Sequence, residues 1–456
     1  IKRWLRGERR LHQLTFDYPP PPYVAGSPDA PVPGGIHGGS VFQVADRYQL
    51  RGIAGKGAFA IVGWGKDTKT NTRVAVKRMG DAAPDRLAAH RLQRELSILR
   101  RLRGHPNVVS AVDLSVKSHM ASNILTRERR DVIDVYLFTD LQLVDLGFML
   151  DSQYLFSREQ VRCLLWQLFR GLAHIHDCGV IHRDLKPGNV LLDPLWRVEV
   201  CDLGIARSVV DFDPARYHVD HDVRFTDYVV TRPYRAPELL MGSKNYTTAV
   251  DMWAAGCMMA EILAGQYPAE HAPLSRNSPK GWLRLPLFPG LDHKDTIDRI
   301  VQVLGHPPPD VLGRMTEWEP RAAGFVENLP YPACDLQTGR PVQGIENPPE
   351  WGGGDSGSVE FEKIFPQAEP GAIEILQSLL NWDAPARPSA EQVLAHPYFT
   401  HHPSAHGMAR WNGKTQEGAK TTQDIALRRA AKRSGMGWDE LWTYYDLRRR
   451  RVPKET

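Results

Sequence analysis

The chain has 456 residues, 42% hydrophobic and 24% charged, which is ample material for two or three packed units and excludes a disordered chain. Its formal charge of +4 sits at the ends: residues 1–10 hold five Lys or Arg against one Glu, residues 400–456 hold twelve against six acids, and the body is left at about −6. No stretch approaches 18 uninterrupted apolar residues and the basic start runs into no apolar segment, so neither a membrane span nor a secretory signal is expected.

The first residue is Ile, as in a fragment or a processed product. Residues 17–40 are dense in Pro and Gly and read as an extended linker, with the PPPPY run as an alternative polyproline ligand. From Tyr48 to Met79, two strand-like runs surround glycines, YQLRGIAGKGAFAIVGWG and TRVAVKRM. A helix follows, with Pro84 and Asp85 in its first turn and Leu92, Leu96, Leu99 and Leu102 at three- and four-residue spacing beside Glu95. DVYLFTDLQLV, from Asp134, predicts a buried strand.

Ser157 and Gln160 then form a capping box for a helix that stops at Gly179. Thr248–Gly265 is apolar nearly all round and predicts a fully buried helix. Strands first and helices second imply two lobes and a cleft. The stretches from Ala269 and Thr338 read as surface loops, and a basic tail follows Phe399. Cys163, Cys178, Cys201, Cys257 and Cys334 lie far apart with no CxxC, which favours reduced thiols in a cytosolic or nuclear setting and no cysteine metal site.

Three stretches carry chemistry. Gly55–Val62, GKGAFAIV, could cover a triphosphate with its backbone amides, although a plain hairpin turn fits equally. Its third glycine position is Ala60, whose methyl costs roughly 1–2 kcal/mol if positive φ is needed there. Val74–Lys77, VAVK, is followed eighteen residues later by Glu95; the two are either ordinary surface charges or a phosphate grip and its brace. Ile181–Asn189 reads IHRDLKPGN, and Asp202 lies thirteen residues beyond Asn189 in CDLG. Phosphoryl transfer needs a carboxylate to orient the attacking hydroxyl, two oxygen ligands for Mg²⁺, and positive charge on the transferring group. Asp184, Asn189 with Asp202, and Lys186 supply these in order.

These motifs resemble those of a eukaryotic protein kinase over about Arg47–Phe399, with A-P-E at Ala236–Glu238, D-M-W-A-A-G at Asp251–Gly256 and Arg387 in A-R-P-S. The resemblance implies an α+β bilobal fold, with a small β-rich N-lobe and hinge at 45–142 and a large α-helical C-lobe at 143–399. Outside or within these lie an arm at 1–44, insertions near 266–285 and 336–357, and a tail at 400–456. It implies ATP and Mg²⁺. Ala54, Gly55, Lys56, Gly57, Ala58 and Lys77 would meet phosphates and Val62, Ala75 and Leu191 the adenine ring. Thr139 would be the gatekeeper, and main-chain groups near Asp140 and Gln142 would meet the adenine edge. In the family, Arg387 pairs with Glu238 and Asp251 braces the catalytic loop.

Within the family the chain looks like a mitogen-activated protein kinase, through Thr226-Asp-Tyr228 beside VVTRPYRAPE, LFPGLD at Leu287–Asp292 and EQVLAHPYF at Glu391–Phe399. The male-germ-cell-associated and intestinal-cell-type kinases share T-D-Y and N-W-D and are the near alternative. Lys186 and Thr231 mark serine/threonine specificity, and Arg235 goes with preference for proline after the phosphoacceptor. The resemblance maps Arg94, Arg183 and Arg207 onto phospho-Thr226, and Arg232 with Arg235 onto phospho-Tyr228. It implies protein substrates, an upstream dual-specificity kinase and phosphatases, a monomer in the cytoplasm or nucleus, and no direct nucleic acid or membrane partner. Leu203 stands for the usual Phe of D-F-G, Pro233 for an aromatic residue, and Asp202 to Thr226 spans 24 residues, longer than is typical of the group. The acids that usually follow HPYF for docking are missing from Thr400–Arg410. A pseudokinase would have lost Lys77, Asp184, Asn189 or Asp202; all four are present.

Overall fold

Glycine punctuation and alternating apolar residues build the first of two units. The computed structural model describes residues 42, 44–56, 60–80, 86–122, 129–142, 144–152, 154–193, 196–203, 206–208, 232–243, 246–266, 275–278, 281–284, 286–316, 321–327, 329 and 361–400. The first unit contains β1 (Tyr48–Lys56), β2 (Ile61–Asp67), β3 (Thr72–Met79), α1 (Arg86–Arg101), β4 (Ala111–Ser122) and β5 (Arg129–Asp140). Its strands form one antiparallel sheet in the order β1-β2-β3-β5-β4. The single glycine-rich run from Tyr48 is thus two strands. β5 begins five residues before Asp134 and ends at Asp140, short of Leu141 and Gln142. Leu99 and Leu102 are buried as the spacing predicts; Pro84 and Asp85 lie outside the described residues.

One face of this sheet carries a core of Phe42, Val44, Tyr48, Leu50, Val74, Val76, Tyr136 and Phe138, with Tyr48 and Phe138 stacked at 4.0 Å. Phe42 and Val44 fall in the sequence-read arm, yet they close this core, each buried side chain contributing about 1.5–3 kcal/mol. At its edge Arg47 grips the buried Asp67 with two hydrogen bonds of 2.7 and 2.6 Å. Those bonds are the main reason the Asp67 carboxyl is held down at about 2.

The second unit begins at β6 (Val144–Asp145) and takes in Pro106–Val108. It continues through α2 (Leu146–Asp151), α3 (Arg158–Asp177), β7 (Val180–Ile181), β8 (Val190–Leu192), β9 (Val198–Val200), β10 (Arg207–Ser208), α4 (Pro237–Leu240) and α5 (Ala249–Ala264). Then come β11 (Ser275–Ser278), β12 (Gly281–Arg284), α6 (His293–Leu304), α7 (Pro309–Met315), α8 (Arg321–Glu327), α9 (Phe361–Ile364), α10 (Pro370–Leu379), α11 (Ala390–Leu394) and α12 (Pro397–Thr400). β6, β8 and β9 form a small sheet, and β7 pairs with β10.

Local signals set the long helices. Ser157 and Gln160 make the reciprocal capping bonds that start α3, and Gly179, at φ 66°, supplies the left-handed residue that ends it. In α5 every residue except Glu261 is buried, as its all-round apolar sequence requires. The first insertion departs from expectation: residues 275–284, read as part of a loop, contain the antiparallel β11–β12 hairpin with Ser278 opposite Gly281. Two four-residue strands are too short to show a period in sequence. The second insertion and the tail beyond residue 400 lie outside the described residues, as does Cys334. The other four cysteines are free thiols. No described helix is long and apolar enough to cross a membrane.

Candidate active site

In the first unit, β3 and α1 bring Lys77 and Glu95 together, with Nζ 3.5 Å from Oε1 and both side chains mostly shielded. The strand register sets the surroundings. Val62 lies opposite Lys77, Ala75 opposite Thr139, and Val74 opposite Asp140. Gly55 pairs with Val62 and Lys56 with Ile61, while Ala54 falls in a register shift and is exposed. Ala60 is not among the positive-φ residues, so its methyl carries no backbone strain. Gly57 and Ala58 lie outside the described residues. Gln142 is 9% exposed, and both polar atoms of its amide are buried without a hydrogen-bond partner among the described residues.

In the second unit the IHRDLKPGN run folds onto itself. Lys186 Nζ donates to Asp184 Oδ2 at 2.7 Å, and Asn189 Nδ2 donates to the Asp184 carbonyl at 2.7 Å and to its Oδ2 at 3.1 Å. The Cys201 amide donates to the Asn189 carbonyl at 2.9 Å, which sets Asp202 beside this cluster. Leu191 lies on β8 opposite Asp145 and Glu199. Leu203, in the place of the usual Phe, is buried.

Two residues here are left-handed without being glycine, Arg183 at φ 69° and Asp202 at φ 63°. Such backbone costs about 1–3 kcal/mol apiece and persists where neighbours over-determine it. Those neighbours are present. The amides of His182 and Arg183 both donate to Asp251 of α5 at 2.8 Å, His176 Nε2 lies 2.9 Å from the same carboxylate, and His182 Nε2 reaches the Cys201 carbonyl at 2.9 Å. Burial pushes the Asp251 carboxyl up, but the His176 hydrogen bond, the His176 and His182 charges and the Arg183 amide together hold it below its ordinary value. Sequence reading overlooked His182 and His176. Nothing in their spacing marks them, because their partners are 19 and 75 residues away.

Of the arginines mapped to Thr226, Arg183 lays its guanidinium 5.0 Å over the Tyr246 ring, and the Arg207 backbone pairs with Ile181. Arg94 lies on α1 in the other unit. Arg232 donates to the Leu291 carbonyl, and Arg235 Nη1 lies 2.9 Å from His293 Nε2. Thr226 and Tyr228 lie outside the described residues. Asp184, Arg183, Tyr234 and Arg235 line one hollow, floored by α5. Beneath Tyr234, burial raises the Glu261 carboxyl to about 8; the Tyr234 hydroxyl bond opposes the rise and nearby Asp151 adds to it.

The donor set fits a magnesium ion. Asn189 uses its amide nitrogen on Asp184, which leaves its Oδ1 as an oxygen donor to join the Asp202 carboxylate, and hard oxygens are what Mg²⁺ takes. Among the described residues, no group of three or more His, Cys, Asp or Glu forms a further metal cluster.

A β-rich lobe with a lysine–glutamate pair, and a helical lobe whose carboxylate loop hangs from a buried aspartate, define a protein kinase. The protein kinase domain family matches residues 48–399. The chain is 32% identical over 361 residues to mitogen-activated protein kinase homolog NTF3 of Nicotiana tabacum, covering 79% of this chain and 80% of that one. It is 31% identical over 360 residues to mitogen-activated protein kinase MPS1 of Pyricularia oryzae, covering 78% and 72%. With mitogen-activated protein kinase 15 of Arabidopsis thaliana it shares 34% over 357 residues, covering 78% and 51%. The chain belongs to the protein kinase family, as a serine/threonine kinase of the mitogen-activated type with the α+β bilobal fold.

Proposed function

We propose that this kinase transfers the γ-phosphate of ATP to Ser or Thr followed by Pro in protein substrates, and that phosphorylation of Thr226 and Tyr228 activates it. The observation that carries the reading is the cluster of Asp184, Lys186 and Asn189, braced through Asp251 and continued into Asp202. Asp184 accepts the proton and orients the substrate hydroxyl, while Lys186, 2.7 Å from that carboxylate, lies where charge develops on the moving phosphoryl group. Lys77, braced by Glu95, grips the phosphates. Asn189 and Asp202 would hold Mg²⁺, which when bound neutralises phosphate charge. Backbone around Ala54, Gly55, Lys56, Gly57 and Ala58 covers the phosphates. Val62, Ala75, Thr139, Asp140, Gln142 and Leu191 receive adenine.

Two phosphates suit the switch on magnitude. Moving a loop from 1% to 99% ordered takes about 5.5 kcal/mol. Three charge-assisted bonds return roughly 4.5–9 kcal/mol, and each newly fixed residue opposes with about 1–2 kcal/mol. One phosphate is marginal, which favours a requirement for both. Arg183, Arg207 and Arg94 read phospho-Thr226, and Arg232 with Arg235 read phospho-Tyr228. An upstream dual-specificity kinase and phosphatases set the state of a monomer in the cytoplasm or nucleus. The test is Mg-ATP phosphotransfer to a Ser-Pro peptide, comparing wild type with Asp184→Ala and with Thr226→Ala/Tyr228→Phe. Activity should vanish in the first and fall far below that of the doubly phosphorylated wild type in the second. Equal activity of unphosphorylated and doubly phosphorylated protein would sink the switch.

A further inference from the structure

The run Leu287–Asp292, L-F-P-G-L-D, marks the family in sequence, yet phosphoryl transfer makes no use of it. In the structure it is a locked turn. Leu287 and Phe288 are buried, and Phe288 stacks on Trp253 of α5 with ring centroids 5.6 Å apart. Gly290 passes so close to α6 that a Cβ there would overlap Thr296. The Asp292 carboxylate caps α6 by accepting from the Asp295 amide at 2.8 Å, and its carbonyl accepts from Thr296 Oγ1 at 2.7 Å. The Asp295 carboxylate accepts from the Leu291 amide at 2.7 Å.

These bonds fix Leu291 and Asp292 just ahead of His293, the first residue of α6, and the two arginines that follow the phosphorylatable pair land on this stretch. Arg232 donates to the Leu291 carbonyl and Arg235 meets His293 Nε2 at 2.9 Å. An arginine has only donors, so in this pose Nε2 faces Arg235 as the acceptor. Arg235 also lines the hollow that holds Asp184. Its pose therefore bears on the substrate residue just after the one Asp184 orients.

We propose that His293 is a specificity-determining positioning residue: seated on the locked turn, it holds the Arg235 guanidinium in the pose that favours proline after the phosphoacceptor. This rests on the reading of Arg235 as the proline selector. The physical reason is pre-organisation. Proline brings no N–H to the substrate main chain, so a site that prefers it gains by offering no acceptor there, and a fixed guanidinium, which only donates, leaves the N–H of any other residue unsatisfied. An arginine left to swing carries about 2 kcal/mol of rotamer entropy and would lose it at each binding event. His293 removes that loss before the substrate arrives.

The test uses the full chain as wild type, His293→Leu, His293→Lys, His293→Gln and Arg235→Ala. Each is assayed for phosphate transfer from Mg-ATP to two peptides that differ only in Pro or Ala after the acceptor Ser. The Pro/Ala ratio of kcat/KM should fall about ten-fold in the Leu and Lys variants, through KM for the Pro peptide, the loss expected for one hydrogen bond to a charged group. Gln keeps a neutral acceptor and should keep most of the ratio. Thermal unfolding runs in parallel; should the Leu variant fail to fold, the Lys variant decides. A wild-type ratio in Leu and Lys, or an equal loss on both peptides, overturns the proposal. Arg235→Ala separates the two claims: a wild-type ratio there sinks the proline-selector reading, whereas a lost ratio there with intact ratios in the His293 variants sinks only the role of His293.

Discussion

Arg387 and Glu238 offer the sharpest test of what holds the helical unit together. They lie 149 residues apart, bond through two contacts of 2.7 and 2.9 Å, and have side chains 0% and 5% exposed. The guanidinium also donates to the carbonyls of Asn381 at 2.7 Å and Ala249 at 3.1 Å, and sits 4.9 Å over the Trp253 ring. Removing one partner of a buried pair leaves the other charge uncompensated, at about 3–5 kcal/mol. Glu238→Ala should fall near the lower end, because the carbonyls and the ring still serve the cation. Arg387→Ala should fall near the upper end, since it strands a carboxylate and opens a cavity. The double variant should cost about 2–3 kcal/mol less than the sum of the two. Urea unfolding followed by far-ultraviolet circular dichroism measures all three, provided the slope with denaturant is unchanged. Single losses under about 1 kcal/mol, or strict additivity, would refute the reasoning.

Three further outcomes follow from individual groups. Asp67 is held at about 2 against an ordinary 3.8, so its contribution of about 2 kcal/mol should be fully present above pH 4 and be lost as pH falls through 2; Asp67→Asn should flatten an acid-unfolding curve in that window. Glu261 is shifted the other way, from 4.5 to about 8, so the folded state binds the extra proton and stability should decline as pH rises from 4.5 to 8. Glu261→Gln should gain up to a few kcal/mol at pH 9 and nothing at pH 4, read by thermal melts at the two values. Asp251→Asn would turn an amide donor toward either the His182 or the Arg183 amide, which donate to different carboxylate oxygens, and should lower kcat about ten- to a hundred-fold; an unchanged kcat in a steady-state assay contradicts the brace.

What could be read in the sequence was what is encoded locally. Ser157 and Gln160 are three residues apart and cap the same turn; Gly179 ends the helix that they start. Phe42 and Val44 were read as arm because their partners in the core, Tyr136 and Phe138, are about 90 residues distant. β4 was passed over although Val112, Leu114 and Val116 alternate with Asp113, Ser115 and Lys117, since Lys and Ser dilute the apolar signal. The chemical residues themselves were legible because the IHRDLKPGN run keeps Asp184, Lys186 and Asn189 within five residues. Of their supports, the Asp251 brace came only with the family resemblance; the rest did not, since His182 needs Cys201, His176 needs Asp251, and Arg235 needs His293, each contact made by tertiary packing.

The buried helix α5 joins these supports. A helix apolar on every side could have served as filler, yet it carries two carboxyl groups, Asp251 and Glu261, and each holds a working segment. Asp251 takes the backbone amides of the catalytic loop, and Glu261 bonds the Tyr234 hydroxyl in the stretch that leads to Ala236–Glu238. Trp253 presents one ring to Arg387 and to Phe288, so the A-P-E ion pair and the L-F-P-G turn share an anchor. A polar group buried in such a helix is tolerated where hydrogen bonds satisfy it, as at Asp251, or where the carboxyl keeps its proton, as at Glu261, which ties the position of each segment to the integrity of the helix core. Loosening that core, for example by filling the space at Gly256, where a Cβ would lie 2.9 Å from Leu380, should therefore disturb the catalytic loop and the Arg235 platform together.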